Sequence, residues 1–352
     1  MNHHRASLKS LAIAIVATGI MGGAHARDFT IATWGGGYTD AQRAVYFEPF
    51  AKETGIKYLA DTYLGGWAQF QAMQKTGVVN WDVVDTEASA LVRGCESGVF
   101  EKLDWSRLGK KEEFVDWAVS PCGLGAVAGA LVISYNKKTI GATPPTKIGD
   151  FFDLKKWPGK RGMRNRPENM LEFALLADGV APKDLYKVLS TPAGVDRAFA
   201  KLTPIKPQVQ WWEAGAQMGE WLLSGDVVMG IGYNGRMAAA QKEGQPLEML
   251  WTNALVYADY WVILAGSPHK ETAYKFLKST LDVNKQIAFA NRYAYEPSLK
   301  AVAAKVPPDV AAGMPVGSKM VNSMFVSTEE GVRFWRDNAD SLTERWTTWR
   351  AK

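Results

Sequence analysis

The sequence predicts an α/β chain folded as two lobes, on three observations. Short apolar strands alternate with longer helical stretches, the pattern of parallel-sheet α/β domains. Two strand-like apolar runs, residues 127–135 and 260–265, read as crossings from one lobe to the other. The 352 residues, 47% hydrophobic and 22% charged, suffice for two domains with a large core and exclude disorder, collagen and coiled coil.

In chain order, Phe29–Thr33 reads as the first strand and Trp34-Gly35-Gly36-Gly37-Tyr38 as a turn. Thr39 caps a helix that runs to about residue 54, where Gly55 ends it. Residues 56–60 form the second strand, 67–76 a helix, 82–85 a third strand and 89–97 another helix. The run at 127–135 is rich in small residues and leads into a polar segment with Pro144 and Pro145. The second lobe opens with 151–157 and Pro158-Gly159-Lys160-Arg161-Gly162, then a helix at 167–178 with Pro167 at its first position. Helices at 194–202 and 214–224, a strand at 226–233 ended by Asn234-Gly235 and a helix at 237–243 follow. After the second crossing, 271–281 and 284–291 are helical, and 327–352 forms a Trp-rich helical tail. The pattern assigns 27–133 and 257–302 to lobe one, and 134–256 and 303–352 to lobe two. No repeat with the period of a solenoid or propeller is present.

Residues 1–26 stand apart from the fold. Arg5 and Lys9 precede an apolar stretch, 11–21, and Ala24-His25-Ala26 supplies a small-x-small cleavage site, the marks of a secretory signal peptide. The stretch is too short to anchor the chain permanently, and no cysteine follows it to carry a lipid. Cleavage after Ala26 removes Arg5 and Lys9, lowers the net charge from +5 to +3 and yields an exported, soluble chain. So small a charge, with no long basic run, argues against nucleic acid as a partner. Export to an oxidising compartment predicts that Cys95 and Cys122 form a disulfide rather than a metal or redox site.

Common catalytic chemistry finds no support. His269 is the one histidine after the leader, so neither a histidine triad nor a multi-histidine metal site can be assembled. There is no Gly-x-x-x-x-Gly-Lys-Ser/Thr stretch and no Gly-x-Ser-x-Gly elbow, and Gly35-Gly36-Gly37 runs into Tyr38. Catalysis by a common nucleophilic or metal route is therefore unsupported, and no metal or cofactor is expected. Paired carboxylates cannot be read from sequence, which leaves an exported glycosidase-like hydrolase as the alternative from another class.

Aromatic and charged residues gather where predicted strands end, the usual place for ligands of open α/β sheets. Trp34 and Tyr38 follow the first strand, Asp85, Thr86 and Glu87 the third, Tyr233-Asn234 ends the strand of lobe two, and Tyr257, Asp259 and Tyr260 stand at the second crossing. Aromatic faces attract ammonium groups by about 0.5 to 2 kcal/mol each, and a desolvated carboxylate supplies the counter-charge. The cluster suits an organic cation or a zwitterion. Trp335, Trp346 and Trp349 fall at helical spacing in the tail and read as packing.

The chain resembles the bacterial spermidine/putrescine-binding family of periplasmic solute-binding proteins. The resemblance lies in Thr33-Trp34-Gly35-Gly36, Phe50-Ala51-Lys52-Glu53-Thr54-Gly55, Trp81-Asp82-Val83-Val84, Ser134-Tyr135-Asn136-Lys137, Trp157-Pro158-Gly159-Lys160, Ser224-Gly225-Asp226-Val227, Tyr233-Asn234-Gly235-Arg236 and Tyr295-Glu296-Pro297, in order along nearly the whole chain after the leader. It implies a type II periplasmic binding protein: two α/β lobes joined by a crossing-strand hinge, with a ligand cleft between them. It also implies a monomer in the periplasm that delivers a small amine to the membrane subunits of an ABC importer. Carried over residue by residue, the resemblance makes Trp34 and Tyr38 cleft aromatics, puts Glu87 near a polar ligand contact and Asp259 on the amine. Tyr233 and Tyr257 stand where the family stacks tryptophans, and Tyr295 or Tyr293 closes the far side. One departure bears on the ligand. Where polyamine binders place two acidic residues before a lobe-two helix, this chain has Arg166 and Asn169. A guanidinium repels an ammonium and pairs with a carboxylate, so Arg166 points away from putrescine or spermidine and toward an ω-amino acid such as 4-aminobutyrate, unless it or Arg164 simply faces solvent. A sugar binder of the same fold would want more Asn, Gln and Asp around the cleft and would have no need of Arg166.

Overall fold

Alternation of side chains along the strands decides where the cores lie. In the computed structural model, which describes residues 27–320 and 323–352, Phe29 and Ile31 of β1 (Phe29–Thr33) pack into one core while Ala32 packs into another on the opposite face. Val83 and Val84 of β3 (Val83–Glu87) divide in the same way. Burial on both faces is why these strands read as unbroken apolar runs. The expected leader, 1–26, lies outside the described residues.

The remaining strands are β2 (Tyr58–Thr62), β4 (Gly123–Asn136), β5 (Arg161–Arg164), β6 (Val209–Trp212), β7 (Met229–Tyr233), β8 (Leu247–Ile263) and β9 (Met324–Phe325). They share one sheet in the order β2-β1-β3-β8-β4-β7-β5-β6, with β9 added to β8. Parallel pairs β1/β2, β1/β3, β5/β6 and β5/β7 form the two outer parts. The middle is an antiparallel ribbon of β4 and β8, 14 and 17 residues long. One end of β8 pairs with β3 and one end of β4 with β7, so the ribbon belongs to both lobes. Its register shifts at Gly125/Val127 and at Leu131/Ile133.

The predicted crossings are these strands, at greater length. The first begins at Gly123 rather than 127, and the second begins at Leu247, well before the predicted 260. Polar Glu248, Thr252 and Asn253 interrupt its apolar pattern, and Asn253 sits in the left-handed region at φ 59°. β5 and β6 were not predicted. The signal in β5 is masked by arginines, since Arg161 is fully buried and donates to the carbonyls of Phe151, Gly159, Asp153 and Trp157. β2 lies two residues later than predicted, and the first helical run starts at Gly36 instead of Thr39, with a wider π turn at Arg43–Phe47.

The C-terminal helix, Glu329–Ala351, is capped by the Thr328 hydroxyl on the Gly331 N–H and holds on to both lobes. Toward lobe one, Arg93 forks onto Asp340 at 2.9 Å and Arg336 reaches Glu96 at 2.9 Å. Toward lobe two, Trp346 donates to Asn165 at 3.1 Å and Arg345 to Asp196 at 2.7 Å. Trp346 and Trp349 pack with Trp211 and Phe199, as their helical spacing suggests. At the other end, Arg27 clamps the fully buried Asp82 at 2.6 and 2.7 Å, and Ser267 and the Thr30 N–H complete its bonds. No described helix is long and apolar enough to cross a membrane.

Cys95 and Cys122 are bonded, with Cα atoms 5.6 Å apart and a separation of 27 residues. The bond ties the helix Ala88–Glu96 to the start of β4, away from the cleft. Replacing both cysteines by serine should lower stability by about 3 to 4 kcal/mol on the chain-entropy account, read as a drop in melting temperature. Ligand affinity should be unchanged in the same variant, and loss of binding would show that the bond shapes the cleft.

Candidate functional site

The ribbon sets the floor of a cavity between the lobes. β3 and β8 pair so that Glu87 lies directly opposite Asp259, and Asp85 and Tyr257 share that face two residues away on their own strands. Facing carboxylates on adjacent strands repel one another, with Cβ atoms about 5 Å apart, so this arrangement needs positive charge nearby. Trp34, just past β1, and Tyr38 come from lobe one, and Tyr233, at the end of β7, comes from lobe two. Tyr295 closes one side, edge-on to Tyr38 at 5.8 Å, and it can lie there because Gly129 and Gly235 leave it room. A Cβ at either glycine would run into its ring.

Of the residues predicted from sequence, Trp34, Tyr38, Glu87, Tyr233, Tyr257, Asp259 and Tyr295 line this cavity together. Tyr293 stands behind Tyr38 and Tyr295 and stacks on the latter at 6.0 Å. Arg166 does not line the cavity. It crosses from lobe two to pair with Glu87 Oε1 at 3.2 Å, and the Gly65-Gly66 turn packs against its guanidinium. Two other guanidiniums line the cavity, Arg236 and, nearer in sequence to Arg166, Arg164, the last residue of β5. Its carbon lies 5.9 Å from the Trp34 ring, 5.7 Å from Trp212 and 5.9 Å from Tyr233, and its Nε is buried without a partner. The two arginines stand two residues apart in the same strand end, which sequence alone does not separate.

Sequence reasoning also passed over Glu168, Arg236, Tyr186 and Trp335, all in the cavity wall. Arg236 was visible beside Tyr233-Asn234-Gly235, whereas the others come from elements distant in sequence. Two of these residues join the lobes: Glu168 accepts from Ser89 at 2.9 Å, and Arg236 donates to the Gly35 carbonyl at 3.3 Å.

Burial, followed by the neighbouring charges of Asp85 and Glu87, pushes the Asp259 carboxyl well above the usual range. Asp85, behind Tyr38, is pushed up to about 7 by burial, against hydrogen bonds from Gln42 and Tyr38 at 2.8 and 2.9 Å. Burial raises Glu168 as well, with Glu87 adding to the effect. The tyrosines stay neutral: burial, followed by Asp85, holds Tyr38 above its ordinary value, and burial does the same for Tyr233 against the opposing charge of Arg164. Glu87 Oε2 and Asp85 Oδ1 are buried without partners. The cavity can thus take up positive charge at its carboxylates and negative charge at Arg164. Among the described residues, no three His, Cys, Asp or Glu are grouped to hold a metal ion.

Residues 45–315 match the profile of a family described as bacterial extracellular solute-binding protein. The chain belongs to that family. This solute-binding protein is 40% identical over 349 residues to the gamma-aminobutyric acid-binding protein of Pseudomonas aeruginosa, covering 99% of this chain and 96% of the other. Among solved structures, it superposes on MotA from A. tumefaciens B6 in complex with glucopine, with a TM-score of 0.84, 32% identity, and 92% and 100% of the two chains covered. A GABA receptor follows with a TM-score of 0.80, 32% identity, and 93% and 98% covered. The two-lobed fold expected from sequence is thus the fold of this solute-binding protein.

An ammonium ligand favours ionised carboxylates in the solute-binding protein's cavity, so binding should displace protons held there. Amine affinity should rise as pH climbs toward and through about 7, as the cavity-lining Asp259, held well above the ordinary carboxylate range by burial, and Asp85 behind Tyr38, pushed up to about 7, ionise. Calorimetry in buffers of different ionisation heat should show proton release below that pH, and pH-independent binding without release would contradict it. Without ligand the trend reverses. The folded protein holds the Asp85 proton more tightly than the unfolded chain, so this group's contribution to stability is full below the ordinary carboxylate range and lost as pH rises to about 7.

Proposed function

We propose that the protein captures 4-aminobutyrate, or an ω-amino acid close to it, in the periplasm and hands it to the membrane subunits of an ABC importer. The observation that carries this reading is the pairing of unmet charges in one aromatic cavity. Arg164 has a buried Nε with no partner, and Glu87 has a buried Oε2 with none, beside Asp259. Buried polar atoms are almost always satisfied, and a zwitterion satisfies both sets at once. A diamine would meet the carboxylates equally well and set its second ammonium against Arg164. The two similar proteins whose names carry gamma-aminobutyric acid or GABA support the same ligand. The cavity itself is compact, with a volume of about 60 Å³.

Binding proceeds by hinge closure, and the ligand shifts the lobes only by the contacts it gains in the closed state. The cross-cleft bonds of Arg166, Glu168 and Arg236 belong to that state. Glu87 sits at the junction, one oxygen on Arg166 and the other free for the ligand. The protein acts as a monomer and releases the solute unchanged.

Calorimetric titration with 4-aminobutyrate and putrescine tests the roles. Asp259→Ala should abolish binding of both, because an ammonium shut in the cleft without its counter-ion loses several kcal/mol. Arg164→Ala should cost about 2 to 5 kcal/mol with 4-aminobutyrate and leave putrescine unchanged or tighter. Arg166→Ala, which removes a bond between lobes, should weaken both ligands alike. Equal, small effects of Arg164→Ala on both ligands would remove the zwitterion reading.

A further inference from the structure

The cavity is closed at one end by the C-terminal helix. The ribbon that floors it is flanked on the β4 side by the Glu296 segment, bonded to Ala128, and on the β8 side by β9 and Ser327, bonded to Val256 and Ala258. Tyr295 and Tyr38 therefore stand at one end, and Val326, Val332 and Trp335 at the other. Trp335 is held there from behind. Its indole N–H donates to Glu172 Oε1, which also accepts from the Tyr186 hydroxyl at 3.2 Å. Gly331 lets the helix approach this close, since a Cβ there would strike the Tyr186 ring. Glu172 is fully buried, does not reach the cavity, and is pushed up to about 8 by burial. A costly buried carboxyl that touches only the back of two wall residues serves to position them.

We infer that Trp335, positioned by Glu172 and Tyr186, is the end stop that sets the length of ligand this protein accepts, restricting it to short ω-amino acids. The inference rests on the cavity being the ligand site and names the feature that selects among its ligands. The indole fills the space that an added methylene of a longer chain would need, and the buried Glu172 side chain keeps the ring from turning aside. The same helix forks ion pairs onto lobe one through Asp340 and Arg336, so the stop cannot retreat without breaking them.

The experiment measures dissociation constants for β-alanine, 4-aminobutyrate, 5-aminopentanoate and 6-aminohexanoate, with the diamines of matching length as a second series. The parent should prefer the shorter members, losing about tenfold or more per methylene beyond its optimum. Trp335→Ala should move the optimum to a longer chain and improve 6-aminohexanoate relative to 4-aminobutyrate by about tenfold or more. Glu172→Ala should shift it in the same direction, and Glu172→Gln, which retains an acceptor for the indole, should keep the parent's order. Because Trp335 is part of a core, Trp335→Phe and Trp335→Leu are measured beside the alanine variant, with thermal unfolding to establish that each is folded. Folded variants that keep the parent's order overturn the inference, as does a parent indifferent to length. A parent that binds diamines and rejects amino acids overturns the proposed ligand, while the length shift within the diamine series still decides the end stop. A parent that binds neither series overturns both.

Discussion

Acidic side chains are packed into the cleft more densely than the cationic ones can balance. Asp85, Glu87, Glu168 and Asp259 gather around a floor where antiparallel pairing sets two of them face to face, and Arg164, Arg166 and Arg236 answer them. Burial of so many like charges is costly unless each is paired or protonated. Two of the guanidiniums, Arg166 and Arg236, bond across the junction between the lobes, and burial holds the carboxyls of Asp259 and Glu168 above their ordinary range. The unliganded site is therefore short of positive charge at its floor, and an ammonium group makes up the shortage. Arg164, caged by aromatic rings, carries the opposite want.

The ribbon makes this shortage mechanically useful. β4 and β8 each begin in one lobe and end in the other, so Asp259 lies in the same ribbon as the hinge, and Glu87 faces it from the adjoining β3. Asn234 braces the junction, accepting from the Ala130 N–H at 2.7 Å and donating to the carbonyls of Ala294 and Gly313 at 2.8 and 2.7 Å. A ligand that neutralises Asp259 and Glu87 acts at the base of the lever, where a small change in favourable contact is carried into a rotation of whole lobes. Glu87 joins the two places through a single carboxylate, since it lines the cavity and pairs with Arg166 across the lobes.

Much of the fold was legible, because helices and both-face-buried strands leave plain apolar patterns. Phe29–Thr33, the third strand and the terminal helix needed nothing beyond those patterns. β5 and β6 escaped because Arg161, fully buried among carbonyls, carries no apolar signature, and β8 was shortened because polar residues break its first half. Of the site, the aromatics and Asp259 were visible as clusters at strand ends and through ordered resemblance to polyamine binders. Arg164 and Arg166 were not told apart, since the direction of a side chain beyond a strand end depends on what packs on it, here the Gly65-Gly66 turn from the other lobe. Trp335 read as packing, and it does pack, but only folding brings the tail helix round to the cavity, next to Tyr186 and Glu172.

The small residues that made the first crossing so conspicuous in sequence lie directly beneath the aromatic lining. Gly129 in the ribbon and Gly235 beyond β7 are the seat of Tyr295, and neither lines the cavity. A solute-binding protein can therefore change its diet without altering any residue that meets the ligand. One methyl group under the floor would lift a tyrosine and redraw the cavity from below.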